Sequence, residues 1–233
     1  MADCENSFGK IIAIEEAASY IKSGMTIMFG GFGGVGTAPT IIDVVLSGSE
    51  SDFTLICNDA GFPNIGVGKL VSDRRVTKLI ASHIGSNPLA GKQMTEGSLL
   101  VEFSPQGTLA ERIRAAGVGL GGILLDIGME ADVICAGKEK IEINNQTFLV
   151  ETPLSADVSV VYAKKADSFG NLLYDKSARN TNPLVAMAGK ITIAEVEEIV
   201  PLGEIDPEHV MTSGVFVDYI VQSKGVNWKW IWE

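Results

Sequence analysis

Short apolar segments alternate with helical patterns along the chain, and this alternation constrains the fold more than any other feature. Met25–Phe29, Phe53–Cys57 and Val76–Ala81 are apolar enough to be strands buried on both faces. A helical pattern begins at Pro39 and is closed by Gly48, and comparable patterns lie between later strands. The sequence therefore predicts an α/β fold with an open, mainly parallel sheet and helices on both faces.

The second half of the chain repeats this alternation, with one irregular stretch. Thr108 and Glu111 have the spacing of a capping box, which predicts a helix over Leu109–Ala116. Residues 117–145 carry little periodicity, so a small subdomain or lid is predicted there within a single domain over residues 1–233. Further strands are predicted over Leu99–Phe103, Phe148–Glu151, Val158–Ala163, Ile191–Val200 and Val215–Val221.

Net charge and hydropathy exclude two classes of partner. The formal net charge is −11, which makes the chain a poor candidate for binding a nucleic-acid backbone. An anionic ligand would have to be held by local donors such as backbone N–H groups. No unbroken apolar run reaches about 20 residues and no signal peptide precedes the first helix, so we expect a cytoplasmic protein without membrane spans.

Cysteine and histidine do not form a recognisable metal or nucleophile motif. Cys4, Cys57 and Cys135 are odd in number and widely spaced, so inert thiols in a reducing compartment are expected. His83 and His209 have no Ser or Cys nucleophile motif beside them and are predicted to be structural. The sequence predicts no metal site and no permanently bound cofactor.

A glycine cluster between a predicted strand and a predicted helix allows more than one interpretation. Gly31, Gly33 and Gly36 have the G-x-G-x-x-G spacing of a dinucleotide site, with Glu50 or Asp52 as the distant acid. That interpretation predicts an NAD-binding oxidoreductase. Tight packing of the strand on the helix is a structural alternative that requires no ligand.

Several longer motifs fit a different assignment. The cluster reads as an apolar strand, then G-G-F, three residues and a glycine, with a proline following. Together the motifs resemble the A (alpha) subunits of family I 3-oxoacid coenzyme A (CoA) transferases, and the segment from Ile80 to Pro88 is similar to their bacterial butyrate/acetate–acetoacetate branch. The matching segments are Gly24–Phe32, Asn58–Gly61, Gly66–Leu70, Ser104–Arg114, Asp175–Asn180, Asn182–Pro183 and Ala194–Val200.

The resemblance implies a reaction and a partner. Members of this family move CoA between carboxylic acids through a covalent glutamyl-CoA thioester, which divides one difficult exchange into easier acyl transfers. In the two-subunit enzymes the glutamate belongs to an S-E-N-G motif of the B (beta) subunit, and this sequence lacks that motif. The resemblance thus implies an alpha subunit with CoA and a short-chain carboxylic acid as substrates, which works in an α2β2 assembly with its B subunit. A non-catalytic binding protein on the same fold is the alternative.

The resemblance also implies which residues form the site. Gln106 matches the glutamine whose side-chain amide lies near the reacting carbon, where it would stabilise a tetrahedral oxyanion. Asn58 is the second candidate for such an amide. Backbone N–H groups of the glycine cluster are expected to approach substrate or CoA at Gly31, Gly33, Gly34 and Gly36.

Three other features carry weaker expectations. Lys176 and Arg179 could pair with a CoA phosphate or a carboxylate, although surface or subunit ion pairs are the commoner role. Leu125–Ala131 departs from the family's threonine- and glycine-rich segment, which could alter the acceptor acid. The tail alternates tryptophans with the spacing of a strand that exposes one aromatic face, so it is a candidate subunit contact: Trp228, Trp230 and Trp232.

Overall fold

A computed structural model describes residues 5–230, and a central eight-stranded sheet organises them. Among these residues the strands are β1 (Thr26–Phe29), β2 (Phe53–Ile56), β3 (Val76–Ala81), β4 (Leu100–Phe103), β5 (Ile123–Leu125), β6 (Lys140–Ile143), β7 (Gln146–Glu151), β8 (Ala156–Asp167), β9 (Leu172–Leu173), β10 (Gly189–Val200) and β11 (Tyr219–Gln222). The helices are α1 (Ile14–Ser19), α2 (Pro39–Ser47), α3 (Gly68–Ser72), α4 (Pro88–Thr95), α5 (Gln106–Gly117), α6 (Asp132–Cys135) and α7 (Asn182–Ala188).

The central sheet is parallel except at one short strand. Its order is β11-β10-β8-β1-β2-β3-β4, and every neighbouring pair along this path is parallel. β9 pairs antiparallel with β8. The predicted α/β class with a mainly parallel sheet is therefore confirmed.

Both faces of the sheet are covered, because consecutive residues of a strand enter different cores. Ile27 belongs to a cluster that also includes residues of α1, α2, α3 and α4. Its neighbour Met28 belongs to a second cluster with residues of α5 and α7. Strands buried on both faces read as continuous apolar runs, which is why the sequence marked them so clearly.

The predicted capping box at Thr108 and Glu111 is wrong. α5 already begins at Gln106, after the extended backbone of Pro105, and no side chain caps its first turn. Thr108 is therefore inside the helix, where it is buried, while Glu111 forms an ion pair with Arg114 at 2.8 Å. The last predicted strand is also shorter than expected, because residues 214–216 form a turn of 3-10 helix before β11.

Residues 117–145 contain ordered elements that the sequence did not predict. β5, β7 and β6 form a separate antiparallel sheet of three strands, and α6 lies between β5 and β6. Buried Glu151 of β7 lies 3.5 Å from Arg112 of α5 and 2.5 Å from Lys138. The pair with Arg112 attaches the small sheet to the main body, whereas the pair with Lys138 lies within the small sheet's own segment. A lid function for the segment stays a prediction.

The divergent segment Leu125–Ala131 connects β5 to α6 in this small sheet. Its Ile127 is exposed. No helix in residues 5–230 is both long enough and apolar enough to span a bilayer.

Candidate functional site

Loops from four adjacent parallel strands meet at one edge of the central sheet. Gly30 follows β1, Asn58 lies just after β2, Ser82 follows β3, and Ser104 follows β4. In open parallel sheets, ligands bind outside the carboxyl ends of the strands. The fold therefore brings every site residue predicted from the sequence to this edge.

Hydrogen bonds join these loops to one another. The backbone N–H of Ser104 donates to the carbonyl of Ala81 at 3.0 Å. The N–H of Ser82 donates to the carbonyl of Asn58 at 2.9 Å, and the Ser82 hydroxyl donates to the same carbonyl at 2.6 Å. The N–H of Gly33 donates to Asp59 Oδ2 at 2.9 Å. Each loop is thus held by the loop that follows the neighbouring strand.

The glycine loop, residues 30–37, has a backbone that side chains would strain. Phe32 and Val35 exchange both backbone hydrogen bonds at 3.0 Å, which closes a tight turn. Gly34 lies within it at φ +94°, in the left-handed region that favours glycine. A Cβ at Gly31 would overlap the Thr37 side chain, and one at Gly36 would overlap the Ala178 carbonyl. The positive φ angles and the close packing both explain why glycine occupies these positions.

Two of the four predicted glycine donors are already used by the chain itself. The N–H of Gly31 donates to Asn180 Oδ1 at 3.0 Å, and that of Gly33 donates to Asp59. The N–H groups of Gly34 and Gly36 have no acceptor among the described residues. Gly34 is buried beneath Ile65 and Trp230. Of the predicted backbone donors, only Gly34 and Gly36 are not used by the described residues, and both are buried.

Two asparagines that hold the glycine loop were not identified as site residues from the sequence. Asn180 accepts from Gly31 and donates Nδ2 to the carbonyl of Val35 at 2.9 Å. Asn182 is fully buried and donates Nδ2 to the carbonyl of Gly36 at 2.9 Å. Both belong to a matched motif, but only charged residues of that segment were expected to bind a ligand.

Those charged residues lie outside the loop contacts. Lys176 and Arg179 are exposed, and neither forms an ion pair within residues 5–230. They are therefore accessible to an anionic ligand or to a partner. The hydrogen bonds that hold the glycine loop come instead from the neutral residues Asn180 and Asn182, which follow Arg179.

Asn58 lines a narrow cleft beside the glycine loop. It is 3% exposed, its Nδ2 donates to Asp59 Oδ2 at 2.8 Å, and its Oδ1 has no hydrogen-bond partner among the described residues. A buried polar atom without a partner is uncommon and marks a place where a ligand or ordered water can bind. The other residues that line the cleft are Gly30, Gly31, Gly33, Gly34, Thr37, Cys57, Asp59 and Val67.

Cys57 lies in this cleft but does not have the properties of a nucleophile. Burial raises the pKa of its thiol well above the ordinary value. The neutral thiol donates to the carbonyl of Asp59 at 3.1 Å. Because the thiolate is the reactive form, burial disfavours a nucleophilic role for Cys57.

Gln106 is the first residue of α5 and lies farther along the same edge. Its side chain is exposed and makes no hydrogen bond to the described residues. β3 separates β4 from β2, so the strands that lead to Gln106 and Asn58 lie about 10 Å apart in the sheet. Pro105 and the start of the helix fix the Gln106 backbone, which leaves its amide available to a ligand.

His83 lies at the same edge of the sheet, beside Ser82, and a structural role for it stays a prediction. Its side chain is exposed, and its carbonyl accepts from the N–H of Ala60 at 3.2 Å. The imidazole Nδ1 lies 3.4 Å from the Ser82 hydroxyl. His83 therefore borders the site, whereas His209 is exposed on a 3-10 turn far along the chain.

The tail does not form the predicted strand. Residues 223–230 fold back over the chain, and the N–H of Lys224 donates to the Thr40 hydroxyl at 2.9 Å. Trp228 and Trp230 are partly buried and meet edge to face with centroids 6.1 Å apart. Trp230 covers Gly34 of the glycine loop. Trp232 lies outside the described residues.

Residues 5–230 contain no group of three or more His, Cys, Asp or Glu side chains arranged to hold a metal ion. The chemistry available at this edge comes from amides, backbone N–H groups and a buried carboxylate. Such groups bind and polarise carbonyl and thioester substrates. None of them is a strong nucleophile, because the cysteine is neutral and Asp59 is already bound to three donors.

Comparison with known proteins identifies relatives of the whole chain. The profile of the Coenzyme A transferase family matches residues 11–223. A probable alpha subunit of a coenzyme A transferase from Bacillus subtilis is 56% identical over 226 residues, which are 97% of this chain and 99% of that protein. The acetoacetyl-CoA:acetate/butyrate CoA transferase alpha subunit of Clostridium acetobutylicum is 47% identical over 213 residues, which are 91% of this chain and 97% of that protein.

A solved structure shares the fold. An acyl-CoA transferase from Escherichia coli O157:H7 matches with a TM-score of 0.84 at 22% identity, over 94% of this chain and 48% of that one. At this identity, the match to that structure shows the fold alone. The profile and the two relatives identify the family by sequence. The predicted resemblance is confirmed: the chain belongs to the coenzyme A transferase family, and its relatives in that family include alpha subunits.

Proposed function

We propose that this chain is the alpha subunit of a two-subunit CoA transferase that moves CoA between a short-chain acyl-CoA and a carboxylic or 3-oxo acid. The observation that carries the proposal is the exposed amide of Gln106, which makes no hydrogen bond to residues 5–230, at the carboxyl edge of a sheet of the family's type. The Clostridium relative's name specifies acetoacetyl-CoA with acetate or butyrate, which supports short-chain acids as the substrate class.

The covalent step is assigned to the partner. There, a glutamate carboxylate attacks the thioester carbon, and the CoA thiolate leaves to give a mixed anhydride. The thiolate then attacks the glutamyl carbonyl, which releases the first acid as a carboxylate and leaves a glutamyl-CoA thioester. The second acid reverses these steps. The absence of an S-E-N-G motif from this sequence supports that division, as does the lack of a free nucleophile among the described site residues.

The proposed contribution of this chain is to bind and polarise the reacting groups. Each acyl transfer passes through a tetrahedral oxyanion, which is stabilised best by fixed donors. Gln106 is the proposed donor, because its backbone is fixed at the start of α5 and its amide makes no hydrogen bond to the described residues. Asn58 and the N–H groups of Gly34 and Gly36 form the second part of the site, which binds acyl-CoA or the acid. Coenzyme A is a substrate here, and no cofactor is permanently bound.

The dinucleotide alternative fits the geometry poorly. In that fold the pyrophosphate binds at the N-terminus of the helix that follows the glycine loop. Here the N–H groups of Thr40 and Ile41, at the start of α2, donate to the carboxylate of Glu195 at 3.0 and 2.9 Å. Glu195 is fully buried, so a carboxylate already occupies the position that a phosphate would need.

Reconstitution tests the proposed function and separates it from a non-catalytic role. The pure chain is expected to show no CoA transfer from acetoacetyl-CoA to acetate or butyrate. Addition of its B subunit is expected to restore transfer, because the nucleophile then joins the site. The measurement is loss of acetoacetyl-CoA absorbance, with the isolated B subunit as the control. Transfer by the isolated chain would refute the division of roles between the two subunits, and an inactive but stable complex would favour the binding-protein alternative.

The tail gives a second prediction about the partner. Truncation after Val226 removes the two described tryptophans and uncovers Gly34. We expect weaker association with the B subunit, because tryptophan is enriched among the residues that contribute most to binding at protein interfaces. Sedimentation velocity of the mixed subunits measures the association, and the thermal midpoint of the truncated chain is the folding control. An unchanged assembly with an intact fold would show that the tail serves only its own chain.

A further inference from the structure

We propose that Asp59 is a positioning residue of this site, which acts by orienting the Asn58 amide. This inference rests on the proposed function. Asp59 is 4% exposed and accepts three hydrogen bonds. Oδ2 accepts from the N–H of Gly33 at 2.9 Å and from Asn58 Nδ2 at 2.8 Å, while Oδ1 accepts from the N–H of Gly61 at 2.8 Å.

The carboxylate determines which way the Asn58 amide points. An ionised carboxylate only accepts hydrogen bonds, so the side of Asn58 that faces it must be the NH2 group. The reverse orientation would bring the amide oxygen against Asp59 Oδ2, and two acceptors at that distance repel. Asn58 Oδ1 is therefore turned away from Asp59 and is left without a partner among the described residues.

This orientation specifies the chemistry that Asn58 offers. Its oxygen is a buried acceptor beside the glycine loop, so the partner that it binds, an ordered water or a substrate group, must supply an N–H or O–H donor. From the sequence, Asn58 was expected to be a second amide donor to the oxyanion. At least one of its N–H groups is instead taken by Asp59, and the same carboxylate fixes how far Gly33 lies from Asn58.

A double-mutant cycle distinguishes positioning from general support. In the reconstituted complex, Asp59→Asn is expected to lower kcat/KM for acyl-CoA by about 10- to 100-fold, because small misplacement of binding groups has effects of that size. Asn58→Ala is expected to cause a similar loss. If Asp59 acts through Asn58, adding Asp59→Asn to Asn58→Ala lowers kcat/KM by less than about 3-fold more. Independent roles would instead multiply the two losses and overturn the proposal.

Asp167 provides a matched control. It is 2% exposed, its Oδ1 accepts from the N–H groups of Phe169, Gly170 and Asn171, and its Oδ2 accepts from Asn171 Nδ2 at 2.8 Å. Asp167→Asn is expected to lower the thermal midpoint about as much as Asp59→Asn, with kcat/KM within about 2-fold of wild type. An equal loss of kcat/KM in both variants would mean that Asp59 only supports the fold.

A conservative variant keeps the test valid if Asp59→Asn does not fold. Asp59→Glu retains the carboxylate and its charge, so kcat/KM is expected to lie between wild type and Asp59→Asn. In the Asn58→Ala background Asp59→Glu is expected to change little, and a full multiplicative effect there would overturn the role. Absence of transfer by the wild-type complex would overturn the proposed function itself, which separates the two failures.

Discussion

Replacement of Gln106 by alanine is expected to lower kcat of the reconstituted complex by about 10²- to 10³-fold, the loss typical of one oxyanion donor. The side chain is exposed and makes no bond to the described residues, so the fold should hardly respond. The thermal midpoint should stay near that of the wild type, because surface substitutions usually change stability by less than about 0.5 kcal/mol. kcat and the midpoint are measured on the same preparations.

Gln93 is the matched control for this prediction. It is 4% exposed, and its Nε2 donates to the carbonyl of Val71 at 2.8 Å. Gln93→Ala should therefore destabilise the chain by about 1–3 kcal/mol and leave kcat unchanged. If Gln106→Ala instead lowers the midpoint and preserves kcat, Gln106 belongs to the scaffold and the proposed oxyanion donor is wrong.

Glu195→Ala is expected to reduce the free energy of unfolding by about 3 kcal/mol. The carboxylate is fully buried and accepts from Thr40 and Ile41 at the start of α2, and from the Ser223 hydroxyl at 2.5 Å. Alanine would leave buried donors without partners, at a cost of about 1–3 kcal/mol for each group. Urea unfolding of the isolated chain measures the change. Glu198→Ala, on the exposed edge of the same strand, should cost less than about 1 kcal/mol.

The same carboxylate predicts a pH dependence. Burial raises the pKa of Glu195 above its ordinary value of 4.5, although its hydrogen bonds oppose this effect. A raised pKa in the folded state means that protonation favours folding. The contribution of this group to stability is therefore fully present below the unfolded pKa and is lost as the pH rises through the folded pKa. Wild type should gain stability relative to Glu195→Gln as the pH falls toward about 4.5, and a constant difference would contradict this.

The sheet and its covering helices could be predicted because they depend on local pattern. β1, β2 and β3 are mostly buried, and each contains a short run of consecutive buried apolar residues that the sequence shows directly. β3 matches its predicted bounds of Val76–Ala81. The prediction of a capping box was wrong because Thr108 and Glu111 have the same spacing whether they begin a helix or lie within one. Only the extended backbone at Pro105 decides between these two cases.

The internal construction of the site could not be predicted, because it depends on contacts between distant parts of the chain. Asn180 and Asn182 hold a loop about 150 residues away, as the bond from Gly31 to Asn180 illustrates. No spacing rule links such residues. The prediction of a strand in the tail was wrong for a related reason. Tryptophans at every second position indicate a strand only if another strand is available to pair with it. In the structure Trp230 packs on Gly34 instead.

The hydrogen bonds between the site loops have a consequence for hydrogen exchange. The N–H of Gly31 can open only if the contact with Asn180 breaks, and the N–H groups of Gly33 and Gly61 share the carboxylate of Asp59. Ser82 is tied in turn to the carbonyl of Asn58. Loops connected in this way should open as one cooperative unit, so the protection factors of these glycine amides should rise and fall together across denaturant.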